Sequence, residues 1–227
     1  MERHHFEEEL QALKQRLLTM GALVEERAHR AVRSLIDRRL DEAELVIQSD
    51  QEVNDLQIEI DRRCLTLLAL QQPAASDLRL ITAALKINDD LERIGDQAVN
   101  IAENVIKVLP QAPLKPLIDI PRMADIAQSM TRDALDAFVK RDADLARSVL
   151  KRDDEVDDLK DQVFRELLTY MMADPGTIQR ALALILISRN IERIADHATN
   201  IAEDVIFLVE AKDVRHHHDA TEEVEKS

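Results

Sequence analysis

The sequence is poor in aromatic residues, glycine and cysteine. Aromatic side chains make up 2% of its 227 residues, and there are 3 glycines, one cysteine and no tryptophan. So few glycines leave little material for the tight turns of β-hairpins. Apolar residues nevertheless reach 45%, and nearly all of them are aliphatic. An aliphatic core without tryptophan is typical of helices packed on helices. The composition therefore predicts an all-α fold.

The single cysteine, Cys64, excludes an intrachain disulfide and is compatible with a reducing compartment. It lies in an apolar run, 64–68, where we expect a buried and unreactive thiol. The first residues lack the apolar stretch of a signal peptide. The longest apolar run, 181–187, is much shorter than the roughly 20 residues that span a bilayer. We therefore expect a soluble protein of the cytoplasm, peripheral to membranes only through partners.

Positive charge is scarce relative to negative charge. There are 30 Lys and Arg residues against 45 Asp and Glu, a formal net charge of −15. Such a surface repels nucleic-acid phosphates, and the chain has no aromatic platform for stacking bases. There is also no Gly-rich phosphate-binding loop, so nucleotide-dependent catalysis is not expected. Cations or proteins are the better partners, and we expect no enzyme and no nucleic-acid ligand.

Prolines divide the chain into two halves. Four of the six lie within 109–121, a segment that we interpret as a stiff linker. We predict a first three-helix bundle at 1–109, a linker at 110–121, a second bundle at 122–214 and a polar tail at 215–227. Within the bundles, the apolar spacing predicts helices over these ranges: 5–38, 41–71, 75–108, 121–140, 142–173 and 176–211. Asp41 and Asp142 are expected to be N-caps.

An internal repeat is the most informative feature of the sequence. Residues 92–106 read ERIGDQAVNIAENVI and residues 192–206 read ERIADHATNIAEDVI, so 11 of 15 positions are identical. A weaker echo pairs 50–56 with 153–159. The rest of the two halves differs widely. This pattern predicts two pseudo-symmetric three-helix bundles related by internal duplication.

The repeat keeps polar residues as well as core residues. Its apolar positions form one stripe at spacings of three and four, which places the polar positions on or near the outer face. Glu92 and Asp96 are four residues apart and repel each other by a few tenths of a kcal/mol. Because the same repulsive pair recurs as Glu192 and Asp196, we hypothesise that a cation occupies each pair.

The metal hypothesis includes further oxygen-bearing side chains. An asparagine amide eight residues after each glutamate extends each pair along its helix. A second row of oxygen-bearing side chains, four residues apart, is expected on the neighbouring helix. The residues that we add to the two pairs are Asn100, Asn200, Asp50, Asn54, Asp153 and Asp157. Oxygen-only ligation favours hard cations over zinc. The competing interpretation, a solvated acidic face without a ligand, stays open.

The sequence is compatible with other functions. A ferritin-like di-metal oxidase needs two Glu-x-x-His motifs, and the helical body has only one such spacing, Glu26–His29. The polar tail contains His216, His217 and His218. We expect these histidines to have no ligand, although they are able to bind stray metal ions. A generic helical adaptor protein is the third interpretation.

Several stretches of the sequence resemble the PhoU family. They read MGALVE at 20–25, LLALQQPAASDLR at 67–79, LKINDDLERIGDQAVNIAENV at 85–105 and RNIERIADHATNIAEDVIF at 189–207. The resemblance implies two three-helix bundles and E/D-x-x-x-D motifs that bind multinuclear iron or other cations, manganese and magnesium among them. Glu92–Asp96, Glu192–Asp196 and Asp153–Asp157 match that motif. Asp50–Asn54 departs from it by an amide, which predicts weaker metal binding in the first half.

The resemblance also implies a regulatory function. A member of this family links the phosphate ABC transporter, through its ATPase subunit, to the sensor histidine kinase of the phosphate regulon. It represses phosphate uptake and the starvation response when phosphate is plentiful. A homodimer is the expected assembly.

Overall fold

Every regular element that the computed structural model describes, over residues 2–71, 73–212 and 214, is helical. The α-helices are α1 (Glu2–Ile36), α2 (Leu40–Gln48), α3 (Gln51–Gln71), α4 (Ala75–Val108), α5 (Asp119–Lys140), α6 (Ala143–Leu150), α7 (Asp153–Ala173) and α8 (Ile178–Glu210). A short 3-10 turn, Pro175–Thr177, separates α7 from α8. The all-α prediction is confirmed.

Each half is a bundle with two long helices and one broken helix. In the first half α1 packs on α4, and α2 and α3 cover both of them. In the second half α5 packs on α8, and α6 and α7 cover them in the same way. The halves join through contacts of α4 with α8 and of α1 with α5. The prediction of two pseudo-symmetric three-helix bundles is confirmed.

The apolar stripe of the repeat lies in the core. Leu91, Ile94, Ala98 and Ile101 are at most 1% exposed, and Ile191 with the matching stripe of α8 is buried too. Burying an aliphatic side chain of this size stabilises a fold by about 1.5–3 kcal/mol. Buried side chains from both halves belong to one continuous core, so the repeat serves the core of the whole molecule.

The predicted helices 41–71 and 142–173 are each broken in the structure. The first breaks at 49–50 and the second at 151–152. Neither break contains proline or glycine; both are secured by arginines that reach across the bundle. Arg27 of α1 donates to the carbonyl of Ser49, and Arg152 donates to Ser129 and Asp133 of α5. Long-range contacts therefore decide these breaks.

One of the two predicted N-caps is wrong. Asp142 does cap α6, because its Oδ1 accepts hydrogen bonds from the backbone N–H groups of Asp144 and Leu145. Asp41 does not cap α2, which begins one residue earlier at Leu40. Its carboxylate pairs instead with Arg39, 2.5 Å away.

The turns before these two helices are alike. Arg38 and Arg141 both adopt a positive φ, 55° and 54°. These arginines are 103 residues apart, the same offset as the echo between 50–56 and 153–159, so the halves align over this region as well.

Helix α5 begins at Asp119, so Pro121 lies in its first turn, where a missing N–H costs nothing. The proposed domain boundaries stay a prediction. The predicted tail, 215–227, lies outside the described residues, as do its three histidines.

Cys64 is fully buried, and burial raises the pKa of its thiol to about 12. Among the described residues, no helix has the length and hydropathy that crossing a membrane requires.

Candidate functional site

The repeated segments occupy the C-terminal halves of α4 and α8, the two helices that join the halves of the molecule, and their acidic pairs lie near the middle of each helix. Helix-dipole effects are confined to the first and last turns, so they do not explain acidic residues in these positions. Asp96 and Asp196 are exposed, as predicted for an outer face, whereas Glu92 and Glu192 are half-buried. The polar positions of the repeat thus lie at the rim of the core.

The first acidic cluster consists of Asp50, Asn54, Glu92 and Asp96. Asp50 ends the break before α3, and its Oδ2 accepts a hydrogen bond of 3.1 Å from Nδ2 of Asn54. The other two carboxylates come from α4, which packs on α3. The structure thus brings together the two oxygen-bearing rows that the sequence predicted.

Shifts in pKa show that these carboxylates repel one another. Burial raises the pKa of Glu92, and the negative charges of Asp96 and Asp50 raise it further. Asp96 is exposed, but partial desolvation by the surrounding side chains and the charge of Asp50 likewise raise its pKa, against the opposing effect of Arg93 and His197. The repulsion acts between helices as well as along α4.

No basic side chain in the described ranges forms an ion pair with Asp50, Glu92 or Asp96. The nearest buried cation is Arg27, which reaches the Ser49 carbonyl and lies 3.5 Å from Glu52. Its positive charge acts on Asp50 only from a distance. The first cluster therefore carries negative charge without a close counter-charge from the chain.

The second acidic cluster consists of Asp153, Asp157, Glu192 and Asp196, from α7 and α8. Burial raises the pKa of Asp153 to about 6, with further contributions from Asp196 and Asp157. Burial, Glu192 and Asp157 also raise the pKa of Asp196. These four carboxylates are crowded in the same way as those of the first cluster.

The second cluster contains a lysine that the sequence reasoning missed. Nζ of Lys160 lies 2.7 Å from Asp157 and 2.9 Å from Glu192, so it bridges α7 and α8. The Glu192 side chain is only 18% exposed. The expected free outer-face carboxylate is therefore wrong at Glu192, because Lys160 pairs with it.

A signal for Lys160 was present in the sequence. It lies three residues after Asp157, on the same face of the helix, and the offset of 103 pairs it with the neutral Gln57.

The two amides at i+8 do not join the clusters in the same way. Nδ2 of Asn200 donates to Asp90 of α4 at 3.2 Å, so it belongs to the contact between halves. His197 contacts the same carboxylate at 2.9 Å. Asn100 is half-buried, and its backbone carbonyl accepts a hydrogen bond from Asn104. Neither amide hydrogen-bonds a cluster carboxylate.

A crevice where α4 and α8 cross was also missed. It is lined by Arg93, Gln97, Arg193, Asp196, His197, Thr199 and Asn200. The apolar spacing of three and four that identified the core stripe carries no information on how α4 and α8 cross. Sequence alone could therefore not place these side chains together.

The clusters differ in how well they fit a divalent cation. Over the described ranges, no three His, Cys, Asp or Glu side chains converge closely enough to hold a metal ion. The first cluster has the oxygen donors that hard cations take, and no ammonium or guanidinium of the described residues forms an ion pair with them. The second has the same chemistry, but an ammonium already lies between its helices. Metal binding by either cluster stays a prediction.

The oxidase alternative finds no support in its one motif. Glu26 forms an ion pair of 2.6 Å with Arg30, and His29 lines a crevice between α1 and α5 beside Glu25 and Arg132. Glu26 lines the same crevice as His29, but its carboxylate is already paired with Arg30.

Comparisons with known proteins agree with this architecture. The PhoU domain family matches residues 17–105 and 120–205, one copy in each half. A phosphate-specific transport system accessory protein PhoU homolog of Pseudomonas aeruginosa is 44% identical over 94% of this chain and 90% of its own length. A homolog of the same name from Aquifex aeolicus is 43% identical, over 92% of this chain and 95% of its own.

Two crystal structures share the fold. PhoU from Pseudomonas aeruginosa superposes with a TM-score of 0.88 at 43% identity, covering 91% of this chain and all of its own. The phosphate transport system regulatory protein PhoU from Streptococcus pneumoniae gives 0.85 at 31% identity, covering 92% of this chain and 99% of its own. The repeat, the two bundles and these matches lead to one conclusion: the chain belongs to the PhoU family.

Proposed function

We propose that this chain is a cytoplasmic accessory and regulatory protein of a phosphate-specific transport system. It couples the ATPase subunit of the phosphate ABC transporter to the sensor histidine kinase of the phosphate regulon and represses uptake and the starvation response. The observation that carries the proposal is 44% identity to proteins named for that system over 94% of the chain. Such full-length similarity covers both bundles and the surfaces they present.

An exposed apolar surface supports action through protein partners. The second-half apolar face consists of side chains that are 39–72% exposed: Phe164, Leu168, Met172, Ile178, Leu182 and Leu186. The α7 members and the α8 members each recur every four residues, so each set forms one stripe on its helix. Contiguous exposed apolar patches mark surfaces that bind other proteins.

The corresponding surface of the first half is more polar. At the matching offsets it carries Asp61, Leu65, Ala69, Leu78, Thr82 and Lys86. The two halves therefore present different surfaces to a partner, even though their backbones are alike.

The test is capture of purified partners by the full chain. We expect the immobilised protein to retain the transporter ATPase subunit and the sensor kinase, and the double variant Leu168→Glu, Leu182→Glu to retain less of at least one. The matched control is Leu65→Glu with Thr82→Glu, at the same positions of the first half. Failure of the wild-type chain to retain either partner rejects the coupling function.

The same experiment separates partner binding from self-association. We also propose a homodimer, and sedimentation of the wild type and both double variants tests it. A loss of dimer confined to the second-half variant would assign the apolar face to a second copy of the chain instead.

We further propose that a hard divalent cation, such as iron, manganese or magnesium, binds at the first acidic cluster. Support comes from the mutual repulsion of Glu92, Asp96 and Asp50, which a cation would relieve. Glu92→Ala with Asp96→Ala should lower the metal content of the purified protein with little loss of helicity. Unchanged metal content by mass spectrometry would remove both residues from the ligand set.

A further inference from the structure

Lys160 distinguishes the second acidic cluster from the first. Its side chain is 27% exposed and its ammonium contacts carboxylates of both α7 and α8. Burial by itself would lower the pKa of Lys160, but the hydrogen bonds to Asp157 and Glu192 outweigh it and raise the pKa. The lysine is therefore a permanent cation at neutral pH.

The ammonium lies where a metal bridging the two helices would have to bind. Asp157 and Glu192 belong to the two rows whose oxygens such a metal would share, and Lys160 hydrogen-bonds one carboxylate from each. A divalent cation would have to break both charge-assisted hydrogen bonds before it could bind. It would also face the repulsion of the displaced ammonium.

The first cluster has no equivalent cation. Gln57, the residue that aligns with Lys160, donates a weak hydrogen bond of 3.4 Å to Asp89 and carries no charge. Of the other basic groups nearby, Arg93 acts on Glu92 and Asp96, His197 on Asp96 and Arg27 on Asp50, all without an ion pair to the cluster in the described ranges. The clusters thus differ in two charged side chains: the second has Lys160 and Asp157 where the first has the neutral Gln57 and Asn54.

We propose that the ammonium of Lys160 is a fixed counter-cation that excludes divalent metal ions from the second acidic cluster. The duplicated motif then has two functions: a metal site in the first half and an internal salt-bridge network in the second. This order is the reverse of the one that the amide of Asn54 predicted, because Lys160 pairs with the second cluster. The exclusion stands on the Lys160 contacts alone; only the contrast between the halves rests on the proposed metal binding by the first cluster.

Manganese binding by full-length variants tests the proposal. The first cluster is silenced with Glu92→Ala and Asp96→Ala, and Mn²⁺ binding is measured by equilibrium dialysis with and without Lys160→Gln. We expect Lys160→Gln to tighten binding at the second cluster by at least about tenfold. Lys140→Gln is the control, because it removes the same charge from an exposed pair with Asp136 on α5. Circular dichroism verifies the fold of every variant.

The reciprocal experiment uses the first cluster. With Glu192→Ala and Asp196→Ala as background, Gln57→Lys should weaken Mn²⁺ binding by about tenfold or more. If this background binds no Mn²⁺ at all, the proposed metal function of the first cluster fails while the exclusion by Lys160 is still tested in the other background. The exclusion is overturned if Lys160→Gln binds Mn²⁺ no more tightly than its own background or the Lys140→Gln control. If Lys160→Gln does not fold, Lys160→Met takes its place, and its Mn²⁺ binding is compared with the same background and the same Lys140→Gln control.

Discussion

The two halves of this molecule have the same helices but different charges and different surfaces. Where the repeated segments face the core, the stripes around Ile94 and Ile194 are both buried. At the rim, one half has a neutral glutamine and the other a lysine at the same place, and the exposed apolar stripes of α7 and α8 are matched by more polar residues in the first half. A shared scaffold therefore does not imply a shared function for its two copies.

The difference also bears on how an acidic motif is interpreted. Both clusters have the same spacing along their helices, yet in one the repulsion is relieved by an ion pair from the chain itself. The motif brings carboxylates together in both halves, and under the proposals made above, residues outside the motif decide whether the cation beside them is a metal ion or a lysine.

The largest expected effect concerns the contact of α1 with α5. A Cβ on Gly21 would lie 2.2 Å from Cδ1 of the buried Leu135. We expect Gly21→Val to lower the free energy of unfolding by about 2–3 kcal/mol, through overpacking. Ala22→Val, at the exposed neighbouring position, should cost only a few tenths of a kcal/mol. Urea unfolding measures both, and equal losses would show that Gly21 is not a close contact between the halves.

The next effect concerns the ion pair between α4 and α8. Nζ of Lys86 lies 2.8 Å from the buried carboxylate of Asp204, whose counterpart in the first half is Asn104. Lys86→Met should destabilise the fold by about 1–2 kcal/mol, less than a fully buried pair because the lysine is partly exposed. Adding Asp204→Asn should recover part of that loss. Strict additivity in this double-mutant cycle would contradict direct coupling.

A smaller effect tests whether the repeats are equivalent in their core. Gly95 corresponds to Ala195, and a Cβ on Gly95 would meet Val53 at 3.4 Å, an ordinary contact. Gly95→Ala should therefore stabilise the protein by about 0.5–1 kcal/mol, since it removes backbone freedom from the unfolded chain. Thermal unfolding measures the change. A lower Tm would mean that the two helices pack differently at this position.

The smallest effect depends on pH. The pKa of Asp153 is raised from 3.8 to about 6, so folding favours its neutral form. Its stabilising contribution is complete below pH 3.8 and is lost as the pH rises through about 6. In chelator, Asp153→Asn should therefore be more stable than the wild type at pH 7.5, by a few tenths of a kcal/mol, and nearly equal to it at pH 4. Urea unfolding at both pH values checks this, and an advantage confined to pH 4 would contradict it.

The sequence predicted the parts of the structure that depend on local pattern. Helix type, the breaks near Pro73 and Pro175, the Asp142 cap and the core stripe all follow from spacing or backbone chemistry. The breaks at 49–50 and 151–152 did not, because contacts between residues distant in sequence secure them: Arg27 reaches Ser49, and Arg152, within the second break, reaches Asp133. The spacing of the motifs indicated which carboxylates come together. It did not indicate the crevice at the crossing of α4 and α8 or the pairing of Glu192 with Lys160, because both depend on contacts between residues distant in sequence.

The most direct test of the difference between the halves is anomalous scattering from crystals of the wild-type protein soaked in Mn²⁺. We expect an anomalous peak beside Asp50, Glu92 and Asp96, and none beside Asp153, Asp157 and Glu192, where Lys160 should keep its two ion pairs. A peak at the second cluster with Lys160 displaced would contradict the account.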